Sequence, residues 1–84
     1  MDNYDKVETN SDGDIIYLKG NIFHRLDGPA IIYANGDQRW YKNGKRHREE
    51  GPAICDLNHL EWFIEGTPLS EQEFLILKIN NFLK

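Results

Sequence analysis

The chain writes one phrase twice. Residues 24–30 read HRLDGPA and residues 47–53 read HREEGPA, identical at five of seven positions and 23 residues apart. A phrase recurring at a period of roughly 20 to 50 residues points to stacked units, none of which can bury its apolar face alone. A longer unit surrounds the phrase. IYLKG at 16–20, WYKNG at 40–44 and WFIEG at 62–66 share an aromatic at the second position and a glycine at the fifth. After the first two comes the phrase, then an apolar step (Ile31, Ile32; Ile54, Cys55). The units run over 14–36 and 37–59. A partial third covers 60–69, where Thr67-Pro68-Leu69 stands in place of Lys45-Arg46-His47.

Each unit reads as β-hairpin material. Asn35–Gly36 and Asn43–Gly44 lie between short β-rich runs, and both residue types tolerate the positive φ of tight hairpin turns. Asp12–Gly13 signals another turn, closing residues 7–9 onto 15–17. Pro29 and Pro52 cannot donate to a ladder, so each should start a strand or lie on an edge. Gly28 and Gly51 before them are expected to supply backbone freedom for the turn. Trp40 and Trp62 hold the same place in successive units and should point into one apolar layer. The fold class is therefore mainly β: a twisted antiparallel hairpin meander in a single domain, 1–84, with residues 1–13 as an acidic hairpin or tail.

The last segment, 70–84, changes period. Ser70-Glu71-Gln72-Glu73 is a capping box, and Lys78 and Lys84 lie toward the far end, where cations suit the helix dipole. At 100° per residue, Leu75, Ile76, Ile79, Phe82 and Leu83 fall within about 120°. That stripe is expected to cap the open end of the stack. Phe74 and Leu77 fall on the opposite arc. Either Phe74 folds back onto Pro68 or the last strand and leaves only Leu77 wet, or, the reading preferred here, both meet a second chain, another copy or a target.

WYKNGKRHREEGPA and IYLKGNIFHRLDGPA resemble the MORN-type repeats, in particular the variant class with an H-R-x-D-G-P-A phrase after W-Y-x-N-G. The resemblance covers about residues 14–66. It departs from the standard pattern, in which a glycine-rich Y-x-G-x-W core dominates. It implies a stack of β-hairpins and a scaffold or binding role, sometimes at membranes, and no catalysis. Variant-type chains this small are similar to ones encoded by bacteria, their phages and large DNA viruses.

Composition narrows the function. The chain has 84 residues, a formal net charge of −4 and one cysteine, Cys55, so no internal disulfide framework can form. The acidic N-terminus lacks the pattern of a signal peptide, and no apolar run reaches membrane-spanning length. Cytoplasm is the expected location, that of the host if a phage encodes the chain. Charge is uneven: Asp2, Asp5, Glu8, Asp12 and Asp14 stand against Lys6 alone in residues 2–14, whereas residues 39–48 carry Arg39, Lys42, Lys45, Arg46 and Arg48.

The recurring side chains include types that carry chemistry. His24 and His47 with His59 or Cys55 could suggest a metal, but zinc sites want four close ligands and no paired Cys-x-x-Cys exists. Neither metal nor cofactor is expected. Arg25/Arg48 and Asp27/Glu50 read as supports of the turn rather than as an acid–base pair, because an active site is built once and a structural turn many times. Arg39, Tyr41, Lys42, Lys45, Arg46 and Arg48 form the expected partner surface, with Phe74 and Leu77. The expected function is a non-catalytic protein-binding module, such as a phage or mobile-element inhibitor of a host protein. A defence nuclease would be one such target. The alternative is a lipid-associated scaffold contacting anionic head groups through residues 39–48; direct nucleic-acid binding is disfavoured by the acidic balance.

Overall fold

A computed structural model describes residues 3–80. In chain order the elements are β1 (Lys6–Thr9), β2 (Ile15–Lys19), β3 (Ile22–Phe23), β4 (Ile31–Ile32), β5 (Gln38–Arg39), β6 (Tyr41–Lys42), β7 (Lys45–Arg46), β8 (Ile54–Asp56), β9 (His59–Ile64), β10 (Thr67–Leu69) and α1 (Glu71–Ile79). All strand pairs are antiparallel. The chain is a mainly antiparallel β-meander with one C-terminal helix.

The unit behind the repeated phrase is a strand that serves two ladders. The first half of β2 pairs β4 through Ile15 and Ile16, and its second half pairs β3 through Leu18 and Lys19. Residues 38–42 do the same: Gln38 and Arg39 pair β4 and β8, then Tyr41 and Lys42 turn back onto β7. In β9 the switch comes between Glu61 and Trp62. The residue at each corner is aromatic: Tyr17, Trp40, Trp62. Backbone bonds mark the equivalence. Tyr17 N–H donates to Ala30 O and Trp40 N–H to Ala53 O; His24 N–H donates to Tyr17 O and His47 N–H to Trp40 O.

That register corrects one expectation. Matching the glycines of IYLKG and WYKNG aligns Ile16 with Trp40. The bonds align Tyr17 with Trp40 instead, at the phrase's own spacing of 23. The slip arises in the turns. Asn43–Gly44 and Glu65–Gly66 both carry two positive φ values, whereas the first turn, Gly20–Asn21, places its one positive φ at Gly20. A glycine leads that turn, as in type II′, while the other two follow the I′ pattern, so the glycines are offset by one. A shift of one residue exchanges the faces of a strand.

Three small hairpins thus stand in a row: 18–23, 41–46 and 63–68. Leu18, Tyr41 and Phe63 hold corresponding places on them. The core is thin. Ala30, Ala53, Ile31, Ile54, Leu18 and Phe63 are buried, and Trp40 packs against the cluster of Ala53, Ile54 and Phe63. Trp62 is partly buried at its corner. The alanines of GPA are fully covered because their carbonyls meet the corner strands, where no longer side chain has room. The acidic N-terminal residues are no free tail: β1 pairs β2 from Lys6↔Leu18 to Thr9↔Ile15.

The helix forms where the capping box stands. Ser70 Oγ accepts from Glu73 N–H at 3.0 Å, and a Glu73 carboxylate oxygen accepts from Ser70 N–H at 2.8 Å. Its docking face is the reverse of the one expected. Phe74 is buried at 3% exposure and Leu77 is half-buried, whereas Leu75, Ile76 and Ile79 are 48%, 56% and 78% exposed. The cause is the connection. Leu69 ends β10 and Ser70 caps α1, so no linker is available to rotate the helix. The first inward-facing large side chain is then Phe74, which lies against β9 and β10. Phe82, Leu83 and Lys84 lie outside the described residues. Phe74→Ala should therefore cost about 3–5 kcal/mol in urea unfolding. Ile79→Ala should stay within about 0.5 kcal/mol of the parent. The reverse order would restore the expected face.

Candidate functional site

The histidine, arginine, glycine and alanine of the repeated phrase each have a structural task. The imidazole of His24 is 2% exposed, and its Nδ1 accepts from Asn43 N–H at 2.8 Å. His47 is 8% exposed and accepts from Glu65 N–H at 2.9 Å. An N–H donates in both cases, so each Nδ1 carries a lone pair and not a proton. Asn43 and Glu65 are the first residues of the next hairpin's tip. Each histidine therefore ties its own unit to the tip of the following one. The first tip, Gly20, has its N–H bound by the Asp5 carboxylate. In the third unit Leu69 holds the histidine's place opposite the corner residue Trp62, and the chain turns into α1.

The arginines lock the corners. The Arg25 guanidinium lies 3.9 Å from the Tyr17 ring centre and that of Arg48 lies 3.7 Å from Trp40. Each also donates back into its own turn, Arg25 to Pro29 O at 3.2 Å and Arg48 to Pro52 O at 3.1 Å. The glycine between follows from this and not from φ: neither Gly28 nor Gly51 takes a left-handed conformation. A Cβ on Gly28 would lie 2.6 Å from the Arg25 guanidinium carbon, and on Gly51 3.5 Å from that of Arg48. The first would force the Arg25 guanidinium to move off its stacked and hydrogen-bonded position. The second is ordinary contact, so the two turns are alike but unequally tight.

The phrases differ in their acids. Arg25 Nε donates to Asp27 at 3.0 Å. Glu50, at the equivalent place, is exposed and does not bond Arg48. Glu49 instead meets His47 Nε2 at 3.1 Å. Among the described residues, two buried side-chain nitrogens lack a hydrogen-bond partner: Arg48 Nε and Trp40 Nε1. Both belong to residues lining a cleft of about 220 Å³ between the first two units, along with Arg25, Lys42, Glu49 and Glu50.

The side chains of the basic stretch lie in different surroundings. Arg39 is held by a forked bond to the Asp56 carboxylate, and Arg48 is stacked on Trp40. Lys42 pairs Glu65 at 3.6 Å, and Tyr41 packs on Phe23 with ring centres 5.2 Å apart. Lys45 and Arg46 are exposed, but as neighbours in β7 they point to opposite faces. Arg46 reaches over the Phe63 ring. In the second part of the expected partner surface, Phe74 is buried and Leu77 half-buried. Two features escaped the sequence reading: the cleft, and the outward row Leu75, Ile76, Ile79. The row was visible as a stripe but assigned inward. No cluster of histidine, cysteine or acidic side chains among the described residues is arranged to hold a metal, and no helix among them is long and apolar enough to cross a membrane.

Comparison with family models, curated proteins and solved structures finds no match.

Two outcomes follow from these bonds. His47→Ala leaves Glu65 N–H without its acceptor and should lower stability by about 1–3 kcal/mol. His47→Asn, whose carbonyl oxygen can stand near Nδ1, should recover part of that in chemical denaturation. Equal losses would assign the effect to packing.

The second outcome concerns acid. The Asn10 amide and then Ala34 N–H hold Asp14 below its usual 3.8; Arg25 and then Asn3 do so for Asp27. A carboxylate with a depressed folded pKa adds stability above its unfolded value, and that stability is lost as pH falls through the folded value. Thermal unfolding from about pH 6 to about pH 2.5 should show stability falling below roughly pH 4. The fall should be shallower in an Asp14→Asn, Asp27→Asn variant, and an equally steep one would place the acid sensitivity elsewhere.

Proposed function

We propose that the chain is a non-catalytic protein-binding module. The observation that carries this reading is the outward face of α1. Leu75, Ile76 and Ile79 form one helical row, each about half exposed or more, on a domain whose core is only a few residues deep. A contiguous apolar row next to polar side chains, here Glu71, Gln72 and Lys78, suits a helix-in-groove contact with another protein. The recurring His, Arg and Asp side chains support the same reading, because their bonds serve neighbouring turns and converge on no shared reacting atom. The proposal includes the resemblance to variant MORN-type repeats, which rests on the repeated phrase. It also includes the form that resemblance suggests, a small phage or mobile-element protein that inhibits a host protein in the host cytoplasm. The lipid reading has less support, since Arg39 and Arg48 are engaged within the fold and Lys45 and Arg46 face apart.

An Ile76→Glu, Ile79→Glu variant tests the module directly. It should melt like the parent, because both side chains are exposed. It should also lose at least tenfold in affinity for whichever purified protein the parent captures, as measured by calorimetry. Unchanged affinity would remove the helix from the contact. Sedimentation of the parent alone separates a foreign partner from a second copy.

A further inference from the structure

The two copies of the repeated turn differ in one bond, and that difference marks a site. In the first unit Arg25 stacks on Tyr17, donates to Pro29 O and gives its Nε–H to the Asp27 carboxylate. In the second, Arg48 stacks on Trp40 and donates to Pro52 O, but its Nε–H meets no acceptor. The molecule thus contains one occupied and one open version of the same arrangement. We propose that the cleft between the first two units receives a carboxylate from an acidic segment of a partner protein, bound by Arg48 Nε–H with Trp40 Nε1–H beside it. This rests on the protein-binding reading and gives the partner a chemistry.

Three observations support a carboxylate. The first unit shows which group satisfies this nitrogen: a carboxylate oxygen at 3.0 Å. It also shows the direction of approach, since the Asp27 side chain is 62% exposed while Arg25 is 18% exposed, so the acid comes from the solvent side. Finally, the corner residue has changed from tyrosine to tryptophan. An indole N–H only donates, so the second unit has two buried donors where the first satisfies its arginine internally. An unmet buried donor is costly, and a charged acceptor is the strongest remedy. Arg25 and Lys42 add positive charge to the walls.

The local acids do not already fill the place. Glu49 is bonded to His47, and Glu50 lines the cleft, exposed and without a bond to the guanidinium. Both nitrogens are covered at present, so entry requires a lining side chain to turn aside. Glu50 is the one not tied down. A volume of about 220 Å³ admits one carboxylate on a short stem. A free small acid would gain little from a single guanidinium bond against its lost freedom, whereas a side chain on a polypeptide brings further contacts. The net charge of −4 does not forbid this, because charges more than about 8 Å away are largely screened at physiological salt.

The test reads the two nitrogens themselves. In ¹⁵N-labelled protein, Arg48 Nε–H and the Trp40 indole each give a resolvable proton–nitrogen signal, the indole assigned with Trp62→Phe. A blocked tetraglutamate peptide should shift both signals saturably in the unaltered chain and leave the Trp62 indole still. The matching tetraglutamine peptide should shift neither. Glu50→Gln should bind the tetraglutamate peptide several-fold more tightly. Arg48→Lys, which keeps the charge but loses Nε, should abolish the response, and its own spectrum reports whether it is folded. Absence of any saturable shift would overturn the proposal. So would Glu50→Gln, without peptide, moving the Arg48 signal as far as saturating peptide moves it in the parent, because Glu50 would then already occupy the place. Free glutamate shifting both signals with equal affinity would overturn the assignment to a protein segment. The helix variant above is read separately. Loss of the cleft response leaves the helix contact standing, and failure of the helix variant leaves the cleft response standing.

Discussion

One hydrogen bond sets the spacing of the whole stack: the imidazole Nδ1 of one unit accepting the first tip N–H of the next. His24 does this for Asn43 and His47 for Glu65. A hairpin of two-residue strands has too few bonds and too little apolar area to persist alone. Here the second and third tips are each held by a buried ring from the unit before, at a point where the N–H has no strand partner. The ring end of the bond is buried, and a donor left unmet against it would be costly. It therefore acts as a constraint on register as much as a source of stability. The arrangement also accounts for the ends. Asp5 serves the first tip, which has no preceding histidine, and Leu69 stands where a further histidine would have no tip to hold.

The second constraint is the arginine–aromatic corner. A guanidinium stacked on Tyr17 or Trp40 covers an aromatic face with the stem and head of one side chain, so a thin sheet gains a lid without a second layer. The lid has a steric consequence in the phrase itself. Arg25 lies so close to Gly28 that a Cβ there would displace its guanidinium, whose Nη1 returns to the carbonyl of Pro29. Histidine, arginine, glycine and alanine in H-R-x-x-G-P-A are thus one mechanical unit: clip, lid, gap for the lid, and a residue small enough for the corner strand to cross. The two variable positions are where the copies diverge. Aspartate completes the first turn, and glutamate leaves the second open.

The same thinness governs where binding surfaces arise. A meander with few buried large side chains needs its last element to cover an end, and α1 does so with Phe74 alone fully inside. One buried aromatic leaves most of a short helix outside, and in this sequence the outside is Leu75, Ile76 and Ile79. Basic residues follow the opposite course. Arg39, paired with Asp56, and Arg48, stacked on Trp40, were drawn into the fold. Those at a two-residue strand beside the tip, Lys45 and Arg46, were split between its faces.

The sequence by itself determined the hairpin units, their turns and the helix start, because these depend on local chemistry. Asn-Gly accepts positive φ wherever it stands, a capping box closes on itself within four residues, and a phrase written twice builds one turn twice. Tertiary structure alone decided which glycines correspond, since the first turn places its glycine one residue earlier. It decided that Gly28 is required by a neighbouring guanidinium and not by its own φ. It decided which face of α1 turns inward, because a helix capped directly after a strand takes its rotation from the strand's direction and not from its richest apolar stripe. It also decided the cleft. Trp40 and Arg48, eight positions apart, both line it because the arginine folds back over the ring, and no periodicity in the letters records that stacking.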